Sequence, residues 1–331
     1  MNVDHRISSY NKLPNPKDLI IPLKGDITKK TRMSVHNILA GKDKRFVIFI
    51  GPCSIHSEQS AINYAKKLKD IQKNLPNLLL IMRFFIQKPR TTIGWTGFLE
   101  YPNITGPSNI FDGLVKTIKL VHTIVDQIEQ PICMELLGTT IEPQYFNNYL
   151  STGFIGARTS ESQIHRNLAS GVSFPMGIKN PSDGNAKVAY EGVLATRAPH
   201  SFCGINIHGD ICAVNTKGNN DSFVVLRGSY KNGPNIIQGV KDLYNKDVSI
   251  VVDCCHGNSN KNLEKTITNA LESSRIDRIC GLMIESHIKE GKQSIKESSD
   301  IDISITDPCL GWENTVKLLE QINEIRSSLY E

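Results

Sequence analysis

The sequence predicts an α/β protein, a (β/α)8 TIM barrel with an N-terminal arm and an inserted β-hairpin. Three observations carry that prediction. Short apolar runs alternate with amphipathic segments eight times along the chain. The runs are apolar on both faces, as strands buried in a parallel sheet are. Most of them end in a cation, a carboxylate or a thiol, and a barrel gathers such ends at one mouth. The 331 residues fit a single barrel, a domain of roughly 200 to 400 residues.

Residues 1–40 are polar and hold Pro14, Pro16 and Pro22. They read as an arm with a short helix over 31–39, able to dock on a neighbouring subunit, with the catalytic barrel over 41–331. Phe46–Ile50 is the first strand. Ala61, Ile62, Ala65, Leu68 and Ile71 then share one helical face. Leu78–Arg83 is the second strand, and Leu114, Ile118, Val121, Val125 and Ile128 repeat at helical spacing behind it. Pro131–Glu135 predicts the third strand, Phe154–Arg158 the fourth and Phe174–Lys179 the fifth, with a helix over Ala186–Thr196. Residues 201–216 read as an inserted hairpin turning at Gly209-Asp210. Ser222–Arg227, Val248–Asp253 and Ile279–Glu285 complete the barrel, a helix over Leu263–Leu271 joining the last two. A closing helix spans Trp312–Leu329 with Val316, Leu319, Ile322 and Ile325 inward.

Composition narrows the functional classes. The net charge of +5 is mild and scattered, with no basic stripe interleaved with aromatics. That excludes a nucleic-acid footprint and favours small anionic ligands. The eight cysteines form no Cys-x-x-Cys pair, which suits reduced thiols in the cytoplasm better than a disulfide framework. Met1–Tyr10 has no apolar core of a secretory signal, and no apolar stretch is long enough to span a membrane. Neither a Gly-x-Gly-x-x-Gly after a strand nor a Walker loop occurs, against a dinucleotide or nucleotide fold.

The strand ends supply Cys53, Arg83, Lys88, Glu135, Arg158, Lys179, Arg227, Asp253, His256 and Glu285, and a late segment adds Asp307. Cys53, His256, Glu285 and Asp307 are metal-type donors from four separate segments. Their mixed S, N and O chemistry suits one divalent ion among Mn, Fe, Co and Zn without choosing between them. Arg83, Lys88, Arg158, Lys179 and Arg227 would crowd five cations into one mouth, an arrangement that needs a multiply anionic ligand. Arg90 and Thr91 make a second anion seat beside the first. Glu135, alone among the cations, either neutralises them or positions a water.

Several long stretches carry a resemblance: Gly51-Pro52-Cys53-Ser54-Ile55-His56, Lys88-Pro89-Arg90-Thr91-Thr92-Ile93-Gly94-Trp95, Ile155-Gly156-Ala157-Arg158-Thr159, Glu161–Arg166, Val252–Ser259 and Ser304–Glu313. Together the chain resembles the type I 3-deoxy-D-arabino-heptulosonate 7-phosphate (DAHP) synthases, which open the shikimate pathway. The resemblance implies condensation of phosphoenolpyruvate with erythrose 4-phosphate and the use of one divalent metal. By it the metal falls on Cys53, His256, Glu285 and Asp307. Phosphoenolpyruvate falls on Arg83, Lys88, Arg158, Lys179, Arg227 and the backbone of Ala157, with a water near Glu135. The sugar phosphate falls on Arg90 and Thr91, with Asp307 near the sugar hydroxyls and Lys88 as proton donor.

The same resemblance implies feedback inhibition by an aromatic amino acid and a homodimer or homotetramer. The inhibitor positions are Asp4, Gln144, Ser173, Phe202, Gly204 and Val214, shared between the hairpin and a neighbour's arm. Gly204 matches the residue of tyrosine-sensitive members, where phenylalanine-sensitive ones carry Ser, so tyrosine is the expected inhibitor. The chain departs from the pattern at Leu137–Glu142, which has one extra residue, at Gly228-Ser229 in place of Gly-Gly, at the unusual loop 99–109 and at the short segment 292–302. Two alternatives stand beside this reading: a non-catalytic barrel that senses an aromatic amino acid, and an octulosonate-phosphate-type synthase taking arabinose 5-phosphate.

Overall fold

A computed structural model of the chain describes residues 6–90, 92–138, 142–297 and 299–329. In chain order the strands are β1 (Phe46–Gly51), β2 (Leu78–Arg83), β3 (Ile132–Glu135), β4 (Leu150–Ile155), β5 (Met176–Lys179), β6 (Ser201–Ile205), β7 (Ile211–Asn215), β8 (Ser222–Leu226), β9 (Ile250–Asp253) and β10 (Ile279–Glu285). Eight of them close a parallel barrel in the order β1-β10-β9-β8-β5-β4-β3-β2, and β6 and β7 pair apart as an antiparallel hairpin. The helices are α1 (Pro16–Leu19), α2 (Ile27–Leu39), α3 (Glu58–Gln72), α4 (Ile110–His122), α5 (Glu142–Phe146), α6 (Gln163–Ala169), α7 (Ala186–Arg197), α8 (Ile236–Asp242), α9 (Leu263–Ser274) and α10 (Trp312–Ser328). One helix follows each barrel strand, as a right-handed parallel crossover requires. Several begin on a side-chain cap: Ser57, Asn109 and Asn262 accept from the backbone N–H of Ser60, Asp112 and Lys265.

Strand parity divides the core in two. Val47, Phe49, Leu79, Ile81, Cys133, Phe154, Phe223, Val225, Val251 and Met283 form one buried cluster inside the barrel. The alternate residues of the same strands pack outward against the helices. Phe49 and Phe154 meet edge to face at 4.9 Å, and Phe223 stands 6.1 Å from both. These interior rings are the floor beneath the C-terminal mouth. Below them Val35 and Ile38 of α2 join the same cluster, so α2 packs under the barrel of its own chain. Arg32 helps hold it there, its Nε donating to the Leu150 carbonyl at 2.9 Å. Ahead of α2 the chain runs beside the hairpin, where Lys17 N–H donates to the Ile207 carbonyl at 3.0 Å.

Most expected strands agree to within two residues; three differences have physical reasons. The fourth strand is Leu150–Ile155 rather than Phe154–Arg158. Ser151 and Thr152 are fully buried strand residues, and their polarity hid the start of the run; Arg158 lies in the turn beyond. Helix α2 begins four residues before the expected 31. In α10, Leu318, Leu319, Ile322 and Arg326 are buried, while Val316 and Ile325 are only half-buried. The helix is rolled so that the Arg326 guanidinium lies 4.6 Å from the Phe46 ring, a cation–π contact that brings a charged residue into the packed face. The amphipathic stretch after β2 is interrupted by a π turn at Thr123–Gln127, which inserts one residue and re-aims the apolar stripe.

Truncating one interior ring tests the floor directly. Phe154→Ala is expected to lower unfolding free energy by about 3–5 kcal/mol, read as a lower urea midpoint at unchanged slope. A loss below about 1 kcal/mol would mean the rings are not tightly packed.

Candidate active site

The barrel's inward parity continues past its apolar floor into the mouth. On β2 it runs Leu79, Ile81, Arg83; on β3 Cys133, Glu135; on β8 and beyond Phe223, Val225, Arg227; on β9 Val251, Asp253; on β10 Met283, Glu285. One periodicity of two therefore supplies both the floor and the charged rim. Above the floor lies a cavity of 280 Å³, bounded by Lys88, Arg90, Glu135, Ala157, Arg158, Lys179, Arg227, His256 and Asp307, with Thr92, Tyr230 and Lys261. The first nine are residues singled out from sequence. Gly156 leaves room for Glu135 in this wall, because a Cβ there would meet Glu135 Oε1 at 2.0 Å and turn that carboxylate aside.

Cys53, Glu285 and Asp307 offer donor atoms that all lie within 4.8 Å of one another. His256 Nε2 is 3.7 Å from Glu285 Oε1. Its other nitrogen, Nδ1, is 2.9 Å from Asp253 Oδ1, so the carboxylate orients the ring and leaves Nε2 facing the other donors. Three of the four residues expected to share a metal thus cluster, and His256 adjoins them through Glu285 alone; a thiol and two carboxylates with an imidazole nearby are donors that suit a divalent transition ion. Each of the two carboxylates and the Cys53 thiol also has a cation beside it. Arg83 Nη2 donates to Glu285 Oε1 at 3.1 Å, Lys88 Nζ to Cys53 Sγ at 3.0 Å, and Lys261 Nζ to Asp307 Oδ1 at 2.7 Å. Cys255 is wall rather than donor: its sulfur accepts from the Glu285 N–H at 3.0 Å.

These pairings set the protonation states. Burial pushes the Cys53 thiol up to about 11, with Glu285 and Asp307 adding to the rise against Lys88 and Arg83. Burial raises the Asp307 carboxyl too, but Lys88 and Lys261 outweigh it and hold it well below the usual range. Desolvation of Lys88 is likewise outweighed, here by Cys53, Glu285 and Asp307, so the ammonium stays charged. Asp253 is fully buried, which disfavours its charge, yet His256 and Lys179 hold it well below 3.8; Lys179 Nζ donates to its Oδ2 at 2.7 Å.

Not every expected residue lines the cavity. Arg83 is fully buried behind the wall, its guanidinium 4.0 Å from the Phe85 ring centroid. Its Nε and Nη1 have no hydrogen-bond partner among the described residues. Thr91 and Asp4 lie outside the described residues. Gln144, Phe202, Gly204 and Val214 line a second cavity of 60 Å³ between the hairpin and α5. Ser173 stands beside it, donating its N–H to Asn147 Oδ1 at 3.1 Å, and Asn147 is in that cavity's wall. Sequence reading missed Lys261 and Tyr230. Lys261 follows a loop with no apolar periodicity, and only its spacing of five from His256 could have suggested it.

A profile of the DAHP synthetase I family matches residues 24–320. The chain belongs to this family. It is 41% identical to the phenylalanine-inhibited phospho-2-dehydro-3-deoxyheptonate aldolase of Saccharomyces cerevisiae, over 97% of this chain and 93% of that protein. It is 39% identical to the tyrosine-inhibited enzyme of that name from Candida albicans, over 97% and 93%. Among solved structures, the phospho-2-dehydro-3-deoxyheptonate aldolase of Francisella tularensis SCHU S4 superposes with a TM-score of 0.92 at 37% identity, covering 97% of this chain and 98% of that one. Family membership and the observed barrel agree with the resemblance drawn from sequence. Among the described residues no helix is long and apolar enough to cross a membrane.

The Asp253 pairing yields a pH prediction. A carboxyl depressed by folding adds stability that is full above the unfolded value of 3.8 and is lost as pH falls toward the folded value. Asp253→Asn is therefore expected to be less stable than wild type at neutral pH, with the gap closing below pH 3.8 in urea denaturation. A gap that stays constant into acid would contradict the pairing.

Proposed function

We propose that this protein is a metal-dependent synthase that condenses phosphoenolpyruvate, D-erythrose 4-phosphate and water into 3-deoxy-D-arabino-heptulosonate 7-phosphate and phosphate. The observation that carries the reading is the meeting of two half-sites: a cation cradle of Lys88, Arg158, Lys179 and Arg227 lines one cavity with His256 and Asp307, and Asp307 also belongs to the donor cluster with Cys53 and Glu285 behind the wall. Neither half alone explains the other. The names of the family and of its relatives support the same chemistry.

In this reading Arg158, Lys179 and Arg227 hold the phosphate of phosphoenolpyruvate, with the Ala157 backbone beside it. Its carboxylate faces Lys88 and the two unpartnered nitrogens of Arg83, since buried donors without partners are expected to meet a ligand. Arg90 and Thr91 take the phosphate of the aldose. A divalent ion on Cys53, His256, Glu285 and Asp307 supplies Lewis acidity toward the aldehyde oxygen when bound. C3 of the enolpyruvate attacks the aldehyde carbon, and Lys88, held charged in the free protein, delivers a proton to the alkoxide that develops there. Glu135 positions the water that adds at C2, and phosphate leaves with cleavage of the C–O bond. Losing one charged contact that strengthens in the transition state costs about two to three orders of magnitude in rate.

The 60 Å³ cavity by the hairpin is the proposed inhibitor site for an aromatic amino acid. Tyrosine is favoured because Gly204 leaves room beside Val214: an added Cβ would already meet Val214 Cγ2 at 2.9 Å. Of residues 1–40, expected from sequence as an arm, α2 packs under its own barrel, and we assign only the stretch ahead of it to contact with a neighbouring copy in a dimer or tetramer. Its 14–17 segment adjoins the hairpin, Tyr145 OH donating to the Pro14 carbonyl and Lys17 N–H to Ile207 O. The expected setting is the cytoplasm.

The assay is phosphate release from phosphoenolpyruvate with erythrose 4-phosphate. Activity is expected with Mn²⁺, lost to chelator, restored by metal, and reduced about a hundredfold or more in Lys88→Met. Arabinose 5-phosphate should be a poor acceptor, and tyrosine should inhibit more strongly than phenylalanine, with Gly204→Ser reversing that order. Equal turnover of the two sugars would favour the octulosonate-type reaction. No turnover despite inhibitor binding would favour the non-catalytic sensor.

A further inference from the structure

Tyr230 is a feature of the cavity that the proposed chemistry does not use. It sits where the chain reads Gly228-Ser229 rather than Gly-Gly. Its ring centroid lies 4.9 Å from the Arg227 guanidinium carbon and 5.7 Å from Lys261 Nζ, both inside the range of a cation–π contact. Arg227 belongs to the phosphate cradle. Lys261 belongs to the donor cluster through Asp307. Tyr230 thus stands at the seam between the two half-sites.

The turn carrying it is closed on itself. Ser229 and Gly233 exchange backbone hydrogen bonds at 3.0 and 2.9 Å. Ser229 Oγ accepts from the N–H groups of Lys231 and Asn232 at 3.2 and 3.1 Å, and Asn232 Nδ2 donates to the Asp183 carbonyl at 3.0 Å. Gly233 takes φ +81°, a left-handed conformation that suits Gly. The facing loop is fixed as well. Gly228 and Gly257 touch so closely that a Cβ on Gly257 would meet the Gly228 carbonyl carbon at 2.4 Å. Asn260 and Lys261 both hold positive φ, of 53° and 60°, a conformation that non-glycine residues keep where the surroundings impose it.

Arg227 gives the ring a task. Among the described residues no carboxylate lies within ion-pair range of its guanidinium. Its side chain makes only a long hydrogen bond, 3.4 Å, to the Gly228 carbonyl. A buried guanidinium beside Lys179 and near Lys261 would be driven off by its like-charged neighbours without a counterpart. The negative face of an aromatic ring attracts both cations and adds no formal charge to compete with an incoming phosphate.

We propose that Tyr230 is a positioning residue whose ring holds Arg227 and Lys261 in place across the cavity mouth, and so sets the affinity for a phosphorylated substrate. The inference rests on reading the cradle as a phosphoenolpyruvate site. The ring face does this, and the hydroxyl is dispensable.

The test is a calorimetric titration of phosphoenolpyruvate into the Mn²⁺-loaded full chain, comparing wild type with Tyr230→Phe, Tyr230→Leu and Tyr230→Ala. Phe keeps the ring, Leu keeps apolar bulk without it, and Ala keeps neither. Phe is expected to bind within about twofold of wild type, and Leu and Ala about tenfold more weakly. Packing alone would let Leu behave like Phe, which would overturn the proposal. So would Phe falling as far as Leu, because that assigns the role to the hydroxyl. Should Leu fail to fold, Tyr230→Met supplies apolar bulk without a ring and is read in the same way. Turnover with erythrose 4-phosphate is measured on the same samples. Wild type that binds phosphoenolpyruvate yet makes no product would sink the functional reading and leave the Tyr230 comparison standing. Wild type that turns over, with Leu and Ala binding like wild type, would sink the Tyr230 inference alone. A wild type that does not bind phosphoenolpyruvate would overturn both.

Discussion

The pairing of cations with Glu285 and Asp307, beside the Cys53 thiol, is the constraint on which the rest of the site depends. Their donor atoms crowd within 4.8 Å, where two like charges repel by about 4 kcal/mol at an effective dielectric near 20. Arg83, Lys88 and Lys261 each answer one of the three, at 3.1, 3.0 and 2.7 Å. The cations in turn need the anions, since Arg83 is fully buried and an unpaired buried charge is strongly destabilising. A divalent ion entering this cluster would free cationic capacity on the cavity side. On the proposed reading that exchange would couple the metal half-site to the anion half-site, with Lys88 belonging to both.

The barrel makes the coupling possible through its parity. The same inward-facing positions give Phe49, Phe154 and Phe223 at mid-barrel and Arg83, Glu135, Arg227, Asp253 and Glu285 at the rim. Below the mouth the interior is closed by buried rings. Rigid strands hold the ends of the charged side chains, while loops add Lys88, Arg90, Arg158, His256, Lys261 and Asp307 from above. Asn258 ties one of those loops down, donating from Nδ2 to the carbonyls of Leu226 and Asp253 at 3.0 and 2.9 Å.

What was legible in the sequence is what periodicity and strand ends encode. The apolar runs of β2 and β10 were placed to the residue, because nothing polar interrupts them. The cluster of Cys53, Glu285 and Asp307 was legible by chemical type, and the cations that line the cavity by their number. β4 was misplaced because Ser151 and Thr152 are buried within it, and a strand with polar residues inside a barrel has no apolar signature. The roll of α10 was hidden because Arg326 is packed through its contact with Phe46, which no hydropathy pattern reveals. Arg83 was legible as a site cation but not as one standing behind Glu285. Lys261 and Tyr230 were illegible, since a turn and a left-handed loop deliver them, and neither follows a period.

On the proposed reading, the thiol of Cys53 stays protonated until a metal replaces its proton. Its value near 11 in the metal-free protein means that coordination must expel a proton, so affinity should rise as pH rises. The direct measurement is calorimetry of Mn²⁺ binding near neutral pH in buffers of differing ionisation enthalpy, with Cys53→Ala as control. Release of about one proton per ion, abolished in the variant, is the predicted result. Binding that releases no proton, or releases the same number without Cys53, would contradict it.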